Sequence, residues 1–162
     1  MSLKTSPSTP ASLSGKGFRF AIVASRWNDA IVSRLIDGAR RALAQAATAE
    51  QAIELFRVPG SLEISLCALK AAESGRFEAV ICLGAIVRGD TPHFEYVAAE
   101  TARGVNEVSL RTGVPLLFGV ITADNVEQAN QRAADNDHNK GYEAAMAAIE
   151  VVNLYRQLFA SK

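Results

Sequence analysis

A three-layer α/β sandwich built on a four-stranded parallel sheet is the fold this sequence predicts, and three observations predict it. Four short apolar runs alternate along the chain with longer segments of helical spacing. One run, Ala79-Val80-Ile81-Cys82-Leu83-Gly84, is apolar on both faces, as in a parallel strand covered by helices above and below. The 162 residues suit one domain, with no internal repeat and no composition shift after residue 16.

The elements follow in order. Residues 1–16 carry Ser6, Pro7, Ser8, Thr9, Pro10 and Ser12 and lack the continuous apolar core of a signal peptide. They are expected to form a flexible N-terminal arm ahead of a domain spanning 17–162. Phe18 to Ser25 reads as a mostly buried strand. Asn28 or Asp29 can cap the next helix, where Ile31, Leu35, Ala39, Ala42 and Leu43 keep helical spacing to about Ala47. A second strand, Ala52 to Val58, stops at Pro59-Gly60, and a helix runs from Leu62 to Glu73 before Ser74-Gly75. Beyond the third strand, a long loop from Ala85 to Pro92 leads into a helix whose Phe94, Val97, Ala98, Val105 and Val108 share one face. Gly113-Val114-Pro115 ends it, and Leu116 to Ile121 is the fourth strand. A short helix near Val126–Ala134 and a long one from about Gly141 close the chain.

Composition narrows the function. Lys+Arg and Asp+Glu both number 17, and no basic stretch exceeds Arg40-Arg41, so no nucleic-acid partner is expected. No apolar run approaches the roughly 20 residues of a membrane span. Cys67 and Cys82 stand in apolar stretches without a CxxC pattern, which reads as two reduced, buried thiols and a cytoplasmic protein.

In open parallel sheets, ligands bind beyond the carboxyl ends of the strands. Those ends carry Arg26-Trp27-Asn28, Pro59-Gly60-Ser61, Ala85 to His93, and Thr122-Ala123-Asp124-Asn125, where nearly every unusual residue sits. None holds GxxxxGK[ST], GxGxxG or GxSxG. Two histidines, His93 and His138, without clustered cysteines or carboxylates make no metal site. Trp27, the single tryptophan, reads either as a ring that stacks on a planar heterocycle or as a core or interface anchor. Thr91 and the helix start at His93 suit an anion such as phosphate, and a neutral His93 could shuttle protons there. A histidine that only starts the helix is the competing reading. Arg132 and Lys140 read either as added positive charge or as solvated surface cations.

Several segments coincide in order and spacing. Val58-Pro59-Gly60-Ser61-Leu62-Glu63 and Leu83-Gly84-Ala85-Ile86-Val87-Arg88-Gly89-Asp90-Thr91-Pro92-His93-Phe94-Glu95-Tyr96-Val97 come first. Phe118-Gly119-Val120-Ile121-Thr122, Glu127-Gln128-Ala129, Arg132 and Asn139-Lys140-Gly141 follow. Together, over about residues 17–159, they resemble the signature segments of lumazine synthases.

The resemblance implies a flavodoxin-like fold and an enzyme without metal or organic cofactor. The family joins 5-amino-6-(D-ribitylamino)uracil to 3,4-dihydroxy-2-butanone 4-phosphate, giving 6,7-dimethyl-8-ribityllumazine, phosphate and water, the penultimate step of riboflavin biosynthesis. It further implies that Trp27 lies against the pyrimidine ring, where most members carry Phe. Ser61, Leu62 and Glu63 would hold the ribityl chain, and Ala85, Ile86 and Val87 the pyrimidine edge. Asp90, Thr91 and Arg132 would line the phosphate pocket, with Glu143 aiming Arg132 and Lys140 in support. His93 would transfer protons, and Phe118 would come from the neighbouring subunit. A homopentamer follows from that shared wall, extending in some members to a 60-subunit shell, with residues 10–17 adding a strand to the neighbour's sheet.

Two segments depart from the family pattern. Asp90 stands where many members have a small neutral residue, and a carboxylate there repels phosphate unless it turns away, for example to Arg88. Ala133-Ala134-Asp135-Asn136-Asp137-His138 replaces a Gly- and Lys-containing loop of shell-forming members, which bears on assembly size. The alternatives are a flavin- or lumazine-binding cage protein of weak catalysis, supported only by Asp90, and a receiver-type switch domain. The second needs an acidic cluster or phosphate loop after the first strand, which Arg26-Trp27-Asn28 does not supply.

Overall fold

Phe20–Ser25 forms strand β1, buried along its whole length at the centre of the sheet. The computed structural model describes residues 13–159. After β1 come α1 (Asp29–Gln45), a short 3-10 turn (Glu50–Ala52), β2 (Ile53–Val58), α2 (Leu62–Glu73) and β3 (Ala79–Val87). α3 (His93–Thr112), β4 (Leu116–Ala123), α4 (Val126–Arg132) and α5 (Lys140–Phe159) complete the chain. The strands lie in the order β2-β1-β3-β4 and every pairing is parallel. This is the expected α/β sandwich, in a flavodoxin-like arrangement.

Alternation along the strands assigns the two faces. Phe20, Ile22 and Ala24 join Ala79, Ile81 and Leu83 against α1 and α5. Ala21 and Val23 join Val80 and Cys82 against α2 and α3. Covering on both sides is why β1 and β3 read as continuous apolar runs. α1 and α5 approach closely where α5 carries Gly141. A Cβ at Gly141 would fall 1.9 Å from Leu35 O. The start of α5 is fixed by buried Asn139, whose Oδ1 accepts from Gly141 N at 2.9 Å and Tyr142 N at 3.1 Å. Its Nδ2 donates to Arg34 O and Ala134 O, both at 3.1 Å, tying that cap to α1.

β1 and β2 start later than the sequence reading has them, at Phe20 and Ile53, and two differences bear on the site. β3 runs on through Val87 and β4 through Ala123, because Ala85, Ile86 and Val87 pair with Ile121, Thr122 and Ala123. The expected long loop from Ala85 is therefore short, covering residues 88–92, and three of its residues are rigid strand. Of the expected arm, residues 1–12 lie outside the described residues, and with them the 10–12 part of the 10–17 segment expected to pair with a neighbour. Residues 13–16 are tied to the body: Gly15 N donates to Ala46 O at 2.7 Å, and Asn153 Nδ2 to Ser14 O at 2.9 Å. Among the described residues, no helix is long and apolar enough to cross a membrane.

Candidate active site

Three of the four carboxyl-end loops converge on one pocket. The exit of β1 is pinned to the exit of β2: Arg26 N donates to Val58 O at 2.7 Å and Trp27 N to Pro59 O at 3.1 Å. Trp27 is thereby presented to solvent, 74% exposed, so within one chain it is no core anchor. Asn28 follows in the left-handed region, with φ 59° and ψ 43°. Its side chain does not cap α1. It reaches across the sheet instead, Nδ2 donating to Ala85 O at 2.8 Å.

The second loop closes on itself. Glu63 Oε2 accepts from Gly60 N at 2.8 Å, so the glutamate in the first turn of α2 satisfies the backbone before it. Ser61 holds the N-cap position of α2, is buried, and makes no capping hydrogen bond with its hydroxyl.

The third loop is framed by Arg88. Its Nε donates to Asp124 Oδ1 at 2.9 Å, its Nη1 to Glu95 Oε1 at 3.1 Å, and its guanidinium lies 4.4 Å from the centre of the Phe94 ring. The hydrogen bond to Asp124, then that to Glu95, holds the guanidinium above its ordinary range. Arg88 thus links the end of β4 to the first turn of α3, and the short segment between carries Gly89, Thr91 and His93 to the pocket mouth. Arg88 is thus taken up by Asp124 and Glu95, and among the described residues no ion pair joins it to Asp90.

The pocket between these loops measures about 410 Å³, within the usual range for small-ligand sites. Trp27, Ser61, Leu62, Glu63, Ala85, Ile86, Val87, Thr91 and His93, all expected from the sequence, line it together. Asn28, Gly60, Gly89, Phe94 and Val97 line it as well. Asn28 had the appearance of a cap, and Phe94 and Val97 of core-facing helix positions. Their place in the first turn after a strand-end loop is the signal that separates them from core. Asp90, Phe118, Arg132, Lys140 and Glu143 are not in this lining. Asp90 is exposed on the third loop, Arg132 ends α4 on the surface, and Phe118 stands 43% exposed on edge strand β4. Glu143 Oε2 accepts from Lys140 Nζ at 2.5 Å within the first turn of α5.

Fold and pocket define a class: a parallel α/β protein with a small-molecule-sized pocket at the carboxyl edge of its sheet. The model of the 6,7-dimethyl-8-ribityllumazine synthase family matches residues 17–156. A 6,7-dimethyl-8-ribityllumazine synthase of Syntrophus aciditrophicus (strain SB) is 54% identical over 150 residues, covering 93% of this chain and 97% of its own. Another, of Desulfatibacillum aliphaticivorans, is 50% identical over 145 residues, covering 90% and 94%. The chain belongs to the 6,7-dimethyl-8-ribityllumazine synthase family. These comparisons give no support to the alternative of a weakly catalytic cage protein.

Proposed function

We propose that this chain condenses 5-amino-6-(D-ribitylamino)uracil with 3,4-dihydroxy-2-butanone 4-phosphate to 6,7-dimethyl-8-ribityllumazine, in the penultimate step of riboflavin biosynthesis. The observation that carries the reading is the convergence of Trp27, Ser61–Glu63, Ala85–Val87, Thr91 and His93 on one pocket in a chain of this family.

Each group has a chemical task. The indole of Trp27 offers a flat face to the pyrimidine. The strand end Ala85-Ile86-Val87 is rigid, which suits backbone recognition of the ring edge. Ser61, Leu62 and Glu63 take the ribityl chain; the Glu63 carboxylate still has acceptor capacity after its bond to Gly60. The 5-amino group attacks the ketone and loses water to give an imine. Loss of the C3 proton then expels phosphate and leaves an enol that tautomerises to a new carbonyl at C3, and the ribityl-bearing nitrogen closes the ring on that carbonyl with loss of a second water. Each stage moves a proton, and His93 at the pocket mouth is the group to carry it. Holding two small substrates in contact supplies much of the remaining acceleration.

Thr91 and Arg132 take the phosphate, with Glu143 and Lys140 in support and Asp90 turned outward. Arg132 and Phe118 lie outside the pocket of a single chain, so the complete site draws them from an adjacent copy. That requirement, with Tyr96, Leu110 and Phe118 exposed on α3 and edge strand β4, supports a ring of five copies. The two free thiols fit a cytoplasmic setting.

The test is lumazine absorbance on mixing the purified protein with both substrates. Turnover is expected, and His93→Ala should slow it about 10²–10³-fold, the scale of one general acid/base. A wild-type protein that forms no lumazine would overturn the reading.

A further inference from the structure

Two serine hydroxyls beneath the pocket are uncommitted, and they face the same point. Ser25, the last residue of β1, is fully buried, and its Oγ has no hydrogen-bond partner among the described residues. Ser61 lines the pocket at the head of α2, where a serine hydroxyl would ordinarily cap the helix, yet it makes no such bond. Between them lies Gly84 of β3. A Cβ on Gly84 would fall 2.9 Å from Ser61 Oγ, 3.2 Å from Ser25 Oγ and 3.3 Å from Ile64 Cδ1. The missing side chain at Gly84 is what leaves room for both hydroxyls.

The backbone of Ser25 is held in place. It is paired to Val58 of β2, and its carbonyl accepts from Arg57 Nη2 at 3.1 Å. Of the three atoms nearest that Gly84 position, the two polar ones are the Ser25 and Ser61 hydroxyls. A buried hydroxyl without a partner is unfavourable, and an alanine would fit the same space. A hydroxyl without a partner directly beneath the pocket points to work done when the site is filled.

We infer that Ser25 is a positioning residue for the Ser61 hydroxyl: on ligand binding it accepts or donates the second hydrogen bond of Ser61, which aims the Ser61 O–H at the polyol chain. Ser25, Gly84 and Ser61 then form a buried selector for the hydroxylated side chain, distinct in action from the face that meets the ring. A site arranged around a ligand hydroxyl discriminates strongly against an analogue lacking it, because its own polar groups are left unpaired. The inference rests on the proposed function, since it takes the ribityl chain as the group at Ser61.

The experiment is calorimetric titration of wild type, Ser25→Ala and Ser25→Cys with two ligands, 6,7-dimethyl-8-ribityllumazine and the chain-free 6,7-dimethyllumazine. Ser25→Ala should weaken the ribityl ligand about 3- to 10-fold, the scale of one neutral hydrogen bond, and leave the chain-free ligand unchanged. Ser25→Cys, nearly isosteric with a weak donor, should fall between. Thermal melting of each variant should be unchanged or slightly raised, because the removed hydroxyl is unpartnered in the empty protein. Equal weakening of both ligands, or no weakening of either, would overturn the inference while leaving the enzyme reading intact. Wild type that binds neither lumazine would overturn both.

Discussion

Asn28 Nδ2 donates to Ala85 O at 2.8 Å, so the side chain after β1 extends the sheet's hydrogen bonding past the last β1–β3 backbone pair, Ala24 with Leu83. One residue thereby holds the Trp27 loop against the strand end that lines the pocket. Its left-handed backbone suits Asn, whose short polar side chain tolerates that region. Asn28→Ala loses the bond, about 1 kcal/mol, and adds a left-handed penalty of roughly 1–2 kcal/mol. Asn28→Gly keeps the backbone and loses only the bond. Thermal unfolding should therefore rank wild type, glycine and alanine in falling stability, while both variants raise the KM for the pyrimidine. Glycine kinetics equal to wild type would show that the contact does not shape the site.

The same residue shows where the sequence was legible and where it was not. Alternation and helical spacing located all four strands, because burial on both faces leaves a strong apolar signal in β1 and β3. Leu62–Glu73 emerges with the bounds expected, since Pro59-Gly60 and Ser74-Gly75 punctuate it. The extension of β3 through Val87 was hidden: Ala85-Ile86-Val87 looks like loop until β4 supplies Ile121, Thr122 and Ala123 as partners. Most pocket residues were legible because they cluster at strand ends. Asn28 was not, since a cap and a cross-sheet donor look alike in sequence. Phe94 and Val97 share the apolar face of α3, and only the position of that helix's first turn over the pocket tells them from core.

Trp27 reports on the site directly. It is the only tryptophan and is exposed beside the pocket, so its emission should be quenched as the pyrimidine or a lumazine saturates the protein. Unchanged emission at saturation would assign Trp27 to packing against a neighbouring copy.

Asp29, in the first turn of α1, gives a pH signature. The hydrogen bond from Arg57 holds its carboxyl below the ordinary aspartate value of 3.8. A folded-state value below the unfolded one stabilises above the unfolded value and is lost as pH falls through the folded one. The stability gap between wild type and Asp29→Asn should be present at neutral pH and shrink below about pH 4. Chemical unfolding at several pH values measures it. A gap that widens in acid would contradict the pairing.

Arg132 separates the two substrates. Arg132→Ala should raise the KM for the butanone phosphate far more than that for the pyrimidine. Lysine should recover only part of the loss if both guanidinium donors engage the phosphate. An equal rise for both substrates would remove Arg132 from the phosphate pocket.

Assembly is the last expectation, and one loop bears on its size. The α4–α5 connection is held to its own chain: Arg41 Nη1 donates to Asp135 Oδ1 at 2.8 Å, its Nη2 to Asn136 O at 2.7 Å, and its guanidinium stacks 5.0 Å from the Tyr142 ring centre. Asp137 lies 3.9 Å from the same guanidinium. The two aspartates that set this loop apart from its glycine-containing counterparts thus converge on an arginine of α1. Arg41 draws the loop's charges inward. We therefore expect pentamers to join into the 60-subunit shell. Five chains of 17.3 kDa weigh about 87 kDa and sixty about 1 MDa, so light scattering separates the outcomes. Arg41→Ala should release both carboxylates and shift the population toward the smaller species, more so at low salt, where like charges repel over a longer range. A wild-type mass near 87 kDa would refute the shell. A fully active monomer would refute the shared site itself, since Phe118 and Arg132 would then have no neighbour's pocket to complete.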